Sequence, residues 1–172
     1  WAGENSKHAG KIIHKWLQKF STDKQITPID KIRDYRDINL NLARNDHVSE
    51  DQLENVLNKV DFTLNNVIND TENHWIFHGE GYSEIPLSGL YKSQFYSIVI
   101  DRINIDDKGN HWLIDYKTGI HEGSAIEDFI QEEIKRYRTQ LEKYAVIYEA
   151  YSNSKPIVRL YYPNLSQLVK ID

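Results

Sequence analysis

The sequence predicts an α/β (α+β) domain in which a mixed β-sheet with an antiparallel meander is flanked by helices and preceded by a helical N-terminal region. Three observations carry this. Apolar residues recur with the helical period over roughly the first 70 positions. Runs rich in β-branched and aromatic residues, punctuated by Gly and Asn, replace that period from 75 to 116. A helical pattern then returns over 126–151, before one more apolar run. The length, 172 residues and 20.3 kDa, suits a single domain over 1–172, with 1–70 mainly helical and 75–172 forming the core.

Taken in order, residues 8–20 (HAGKIIHKWLQKF) set Ile12, Ile13, Trp16, Leu17 and Phe20 on one helical stripe. The polar stretch 21–28 ends at Pro28 and reads as a connection. Residues 29–45 are expected to be helical, with weaker patterning. Over 49–69, Leu53, Val56, Leu57, Val60, Leu64, Val67 and Ile68 hold the 3.6 period, and Ser49 with Gln52 has the spacing of a capping box. Residues 75–77, 82–87, 95–105 and 111–116 read as strands, with DDKGN at 106–110 as a hairpin turn. The helix over 126–151 places Ile130, Ile134, Leu141, Ala145 and Tyr148 on one side. Residues 157–162 are expected to be the last strand, stopped by Pro163.

Composition excludes several classes. Hydrophobic residues make up 40% and charged residues 27%, too apolar for a disordered chain. The absence of cysteine removes disulfide scaffolds, thiolate zinc sites and cysteine nucleophiles. No apolar run approaches the ~18 residues of a membrane span, and no secretory signal opens the chain, so a cytoplasmic location is expected. The net charge of −5 argues against a free-standing DNA-binding domain, though not against an enzyme that gathers carboxylates around cations. The sequence begins at Trp1 and contains no methionine, and it reads as a piece of a longer protein.

The chemistry concentrates in the hairpin 98–116. If its turn centres on Lys108, residue i faces residue 216 − i, and Asp101 lies opposite Asp115. Opposed side chains have Cβ atoms about 4.5–5.5 Å apart, where like charges destabilise a sheet. Apolar neighbours flank both acids, so the pair needs a shared proton, a basic residue or a divalent cation. Alternation puts Lys117 on the face of Asp115, with Tyr116 pointing away. Hard oxygen ligands suit Mg²⁺ or Mn²⁺. On spacing alone, a surface salt bridge is the commoner meaning of such an Asp/Lys set.

VIDRI at 99–103, LIDYKTG at 113–119 and QLEKY at 140–144 together resemble the RecB-type branch of the PD-(D/E)XK nuclease superfamily, as found at the C-terminus of UvrD/Rep-family helicase–exonucleases. The resemblance covers nearly the whole chain and implies a restriction-endonuclease-like core. It also implies roles. Gly10 and His14 match a G-x-x-x-H helix whose histidine is a metal ligand. Glu84, in SEIPL, matches a glutamate near the site. Asp101 matches the metal-binding aspartate, and Asp115 with Lys117 matches the D-x-K pair. The backbone carbonyl of Tyr116 is a further metal ligand by the same resemblance. Gln140 and Tyr144 match the Q-x-x-x-Y helix motif, and their spacing puts them on one helix face. Ile98 stands where many relatives have Gly, which bears on how a DNA strand approaches, and Ile100 stands where the superfamily's name has Pro.

The implied function is a Mg²⁺-dependent (alternatively Mn²⁺-dependent) DNA nuclease acting in repair and recombination. DNA, helicase motor domains of the same polypeptide and a partner subunit are the implied partners, and no membrane is involved. Lys135, Arg136, Arg138 and Lys143 form the one dense basic cluster, read either as a phosphate track or as a solvated helix face paired with Glu132, Glu133 and Glu142. No phosphate-binding loop of the G-x-x-x-x-G-K-[ST] type is present, so ATP hydrolysis is not expected of this segment. The alternative reading is a catalytically inactive copy of the fold used for DNA guiding or subunit docking. A carboxylate-pair glycosidase fits less well, because it has no use for a lysine two residues from an acid.

Overall fold

In the computed structural model, which describes residues 2–119, 123 and 125–171, the first apolar stripe becomes helix α1 (Ala2–Asp23). The region expected to be helical over 29–45 forms two helices, α2 (Ile29–Asp34) and α3 (Arg36–Asn45), interrupted at Tyr35. Helix α4 (Glu50–Asn69) follows. These helices belong to a compact unit that also takes in 117–119 and 162–167. Its core is the predicted one apart from Ile68, which is half-buried: Ile12, Ile13, Trp16, Leu17 and Phe20 of α1 are buried, as are Leu53, Val56, Leu57, Val60, Leu64 and Val67 of α4. Each such side chain contributes about 1.5–3 kcal/mol by leaving water. The Trp16 indole donates to Asn39 Oδ1 at 2.8 Å, fixing α1 against α3.

Two expectations fail in this unit. The capping box does not form: the Ser49 side chain makes no cap hydrogen bond, while the Gln52 amide accepts from Asn5 and donates to Asp51. A local cap gives way here to contacts with α1. Residues 75–77, expected as a strand, lie in a single helical turn, α5 (Trp75–His78). Ile76 and Phe77 are fully buried, and Phe77 meets Phe20 edge-on at 6.0 Å. A short apolar run has no readable period, so packing decides its conformation.

The second unit holds most of a five-stranded sheet, in the order β1 (Glu80–Tyr91), β2 (Gln94–Ile105), β3 (His111–Tyr116), β4 (Ile157–Tyr162) and β5 (Gln167–Lys170). Strands β1–β3 form the antiparallel meander, and β4 runs parallel to β3 after the crossover helix α6 (Ile126–Ser152). Strand β5 was not expected. Pro163 ends β4 as predicted but opens a 3₁₀ turn (Pro163–Leu165), after which the chain adds this short edge strand.

The β2–β3 register is the predicted one, with Arg102, Ile103, Asn104 and Ile105 facing Ile114, Leu113, Trp112 and His111. Asp106 pins the turn. Its carboxylate accepts from the Lys108 and Asn110 amides, the Asn110 side chain and the Trp112 indole, all at 2.9 Å. The indole donor first, then the Asn110 side chain, holds its pKa well below the usual carboxylate range. Gly81, at φ 136°, starts the β1–β2 ribbon with the Ile103 carbonyl 2.0 Å from where a Cβ would stand, so no other residue fits.

Helix α6 covers the side of the ribbon formed by the odd positions of β1 and the even positions of β2. The Tyr91 hydroxyl donates to Glu142 at 3.4 Å, and Gly89 closely approaches Ile147. Ile134, Leu141, Ile147 and Tyr148 are buried, whereas Ile130 and Ala145 are only half-buried. Ile98 and Ile100 point to this covered side, away from Asp101.

Candidate active site

Strand β1 pairs with β2 so that residue numbers sum to 185, from Glu80 with Ile105 to Tyr91 with Gln94. The position facing Asp101 is therefore Glu84 (185 − 101). In β2–β3 the sum is 216 as far as Arg102 with Ile114, and Asp101 and Asp115 are the next residues of the two strands. One acid thus stands at this level on each of three adjacent strands. Carboxylate oxygens of Glu84 and Asp101 lie within 4.8 Å of one another, and both residues are half-buried.

Backbone geometry is unusual along this row. Glu84 has φ 51°, in the left-handed region, which costs a non-glycine residue roughly 1–2 kcal/mol. Pairing is regular on both sides of it, with Ser83 facing Arg102 and Ile85 facing Ile100. The strain therefore falls on one residue, the one beside Asp101. Such strain concentrates at functional sites. The Asp101 carboxylate accepts the Tyr116 amide at 2.7 Å, so Tyr116 turns its N–H toward β2.

Asp115 is 5% exposed and faces Leu160 of β4. A carboxylate this buried stays ionised only with donors or a cation against it. The Tyr116 ring is buried on the other face, where it meets Tyr161 at 6.3 Å. Arg102, 2% exposed, also lies there and donates to the Gly79 carbonyl at 2.8 Å and to Asn104 Oδ1 at 3.0 Å. Burial lowers its pKa, against the opposing pull of Tyr116 and Glu80.

His14 and Lys117 belong to the first unit, and both are half-buried. The role of Gly10 is visible there. A Cβ on Gly10 would lie 3.0 Å from Thr118 Oγ1, so α1 passes close over the segment that follows Lys117. His14 is one turn further along the same helix face. Asn164 holds this segment from the other direction. Its amide donates to the Thr118 and Gly119 carbonyls at 3.1 and 3.4 Å, and its Oδ1 accepts from Thr63 at 2.9 Å and Asn66 at 3.3 Å. Sequence reasoning missed Asn164, because a polar residue after a strand carries no spacing signal.

On α6, Gln140 Nε2 donates to the Tyr144 hydroxyl at 3.0 Å, so the pair acts as a unit on one face. The basic cluster divides. Lys135 pairs with Glu132 at 3.1 Å and Arg136 with Glu133 at 3.6 Å, while Lys143 sits 4.2 Å over the Tyr96 ring. Lys135 and Arg136 thus match the solvated-face reading.

A family model of the PD-(D/E)XK nuclease superfamily matches residues 2–169. The chain belongs to the PD-(D/E)XK nuclease superfamily. No curated protein matches it at a significant level. PD-(D/E)XK nucleases generally use divalent metals, and the donors in this member fit one: the Glu84 and Asp101 oxygens are hard ligands, close together and partly shielded from water. The five-stranded mixed sheet with flanking helices agrees with the restriction-endonuclease-like fold of the superfamily. Among the described residues, no helix is long and apolar enough to cross a membrane.

Proposed function

We propose that this chain is a DNA nuclease that hydrolyses phosphodiester bonds with Mg²⁺ or Mn²⁺. We assign both compact units to one domain over 1–172, the cytoplasmic nuclease module of a helicase–nuclease acting in repair and recombination, with motor domains in the same polypeptide and a partner subunit. The observation that carries the catalytic reading is the Glu84–Asp101 pair: two carboxylates within 4.8 Å, facing each other across a strand pair, beside a strained backbone. Two acids held this close repel unless a cation or a proton joins them.

His14, Asp101, Asp115 and the Tyr116 carbonyl are the proposed ligands, with Glu84 holding a second ion or a water. When bound, the cation supplies Lewis acidity toward the phosphoryl oxygens and neutralises the acids. In the reaction, water oxygen bonds to phosphorus and the P–O ester bond to one nucleoside breaks. The leaving oxygen takes a proton, and the other product keeps the phosphate. The Lys117 ammonium donates to a phosphoryl oxygen as negative charge builds there. Gln140 and Tyr144 orient the phosphate from α6. Support for the helicase link comes from the motifs in VIDRI, LIDYKTG and QLEKY.

The test is cleavage of labelled single- and double-stranded DNA with Mg²⁺, Mn²⁺ or chelator. The wild type is expected to cut only with metal. Asp115→Ala and Lys117→Ala are expected to lower kcat by about 10²–10³-fold. Wild type and variants that behave alike with every metal would leave the chain as a docking or DNA-guiding module.

A further inference from the structure

We infer that a cavity between α6 and the strands β4 and β5 is a binding site for a nucleoside monophosphate, separate from the catalytic row. The inference goes beyond the nuclease reading and does not depend on it. The cavity holds about 750 Å³, within the range of small-molecule sites. It meets β4 at Ile157, which pairs with Trp112, whereas Asp115 pairs with Leu160. That is three residues, about 10 Å, back along the strand from the level of the acids. On α6 it takes Arg138, Glu142, Ala145 and Glu149, a stripe on a different face from Gln140 and Tyr144. Arg138 belongs to the basic cluster of α6, and neither a salt bridge on the helix nor the catalytic reading uses it.

Charge selects an anion. The chain carries −5 overall, yet this cavity gathers four cations against two acids. Arg138, Lys155, Arg159 and Lys170 come from α6, the α6–β4 connection, β4 and β5, so four separate segments converge on it. Arg138 and Lys155 have no ion-pair partner among the described residues, although Glu142 and Glu149 line the same cavity. Lys135 and Arg136, one turn earlier on α6, are both paired. The Arg159 guanidinium lies 5.2 Å over the Trp112 ring, and its Nη1 donates to the Val158 carbonyl at 2.8 Å, which together fix its plane. A guanidinium has five N–H donors, so others remain for the forked contact it makes with a phosphate.

The rest of the lining sets the body of the ligand. Leu141, Val146, Pro156 and Ile157 give an apolar wall for a flat ring. Glu142 and Glu149 are acceptors, and they call for N–H or O–H donors on the same ligand. A fatty acid supplies an anion and an apolar body without those donors. Inorganic phosphate lacks the apolar body. A nucleoside monophosphate carries all three: the anion, the ring face, and the amine and ribose hydroxyl donors.

The experiment is calorimetric titration of the folded chain, in chelator and at fixed salt, with adenosine 5′-monophosphate, adenosine or inorganic phosphate. Chelator removes the cations that would draw a phosphate to Asp101. The monophosphate is expected to bind saturably, with adenosine and phosphate each at least about tenfold weaker, since each makes only part of the contacts. Arg138→Gln and Lys155→Gln, both at exposed positions, are each expected to weaken the monophosphate about tenfold, as loss of a charge-assisted hydrogen bond does. Val146→Glu sets a carboxylate on the apolar wall, at a position already 44% exposed, and is expected to weaken binding at least as much. Absence of monophosphate uptake at millimolar concentration, in wild type folded by circular dichroism, overturns the inference. Equal binding of phosphate and monophosphate leaves a surface anion contact and also overturns it. Uptake indifferent to Arg138→Gln, Lys155→Gln and Val146→Glu but lost in Asp101→Asn moves the ligand to the catalytic row, and overturns it as well. Each of these outcomes leaves the nuclease reading to its own cleavage assay.

Discussion

Glu84 and Asp101 face each other across the β1–β2 ladder with their carboxylate oxygens within 4.8 Å, and the backbone of Glu84 is strained at that one rung. Neither feature helps folding: like charges directly opposed weaken a sheet, and left-handed backbone weakens it further. Both make sense if the rung is built to hold a cation. Asp101→Asn keeps an acceptor for the Tyr116 amide and removes one charge. Without divalent metal, its Tm is expected to equal or exceed that of the wild type. Added Mn²⁺ is expected to raise the wild-type Tm, by about 2.7 kcal/mol of stability at a hundredfold excess over Kd, and to leave the variant nearly unmoved. Cleavage by the variant is expected to fall at least ~100-fold.

Asn164 is predicted to position the segment after Lys117. Asn164→Asp keeps the acceptor for Thr63 but sets a carboxylate against the Thr118 and Gly119 carbonyls. The loss of these donors is expected to cost about 1–3 kcal/mol in denaturant unfolding. A fall in kcat with KM held is the outcome expected if Lys117 depends on this clamp. An unchanged kcat in folded protein would separate Asn164 from the site.

Gly10 tests the close passage of α1 over Thr118. Gly10→Ala gains up to about 1 kcal/mol of helix propensity, yet its methyl meets Thr118 Oγ1 at 3.0 Å. The variant is expected to be no more stable than the wild type. The same substitution combined with Thr118→Ala is expected to recover the propensity gain, read as coupling in a double-mutant cycle.

The turn at Asp106 gives a pH dependence. Its pKa is depressed in the folded chain, so the unfolded chain takes up the proton first as pH falls. The contribution is fully present above the unfolded value of about 3.9 and is lost as pH drops through the lower folded value. Asp106→Asn is expected to lower Tm at neutral pH. The gap to wild type is expected to narrow in strong acid, as followed by circular dichroism.

The helices were legible where burial runs on one stripe for several turns, as at Ile12 to Phe20 and Leu53 to Val67. A turn as long as DDKGN permits several β2–β3 registers, and the one centred on Lys108 is realised with Asp106 gathering the turn's donors. What sequence left hidden depends on distant packing. Residues 75–77 coil because Phe77 meets Phe20, and Ser49 and Gln52 part because Gln52 meets Asn5. In the site, Asp101 was readable from its strand and Glu84 from the family resemblance, but their opposition needed the β1 register, which no turn signal at Lys92-Ser93 announced. Asn164 was invisible for the same reason, since its partners lie about 45 and 100 residues away along the chain.

The most direct measurement is titration of the folded chain with Mn²⁺, followed by loss of the free-ion electron paramagnetic resonance signal. The account predicts saturable uptake, weakened ~10-fold or more by Glu84→Gln and by Asp101→Asn. A free-ion signal undiminished by folded wild-type protein, or uptake indifferent to both substitutions, would contradict it.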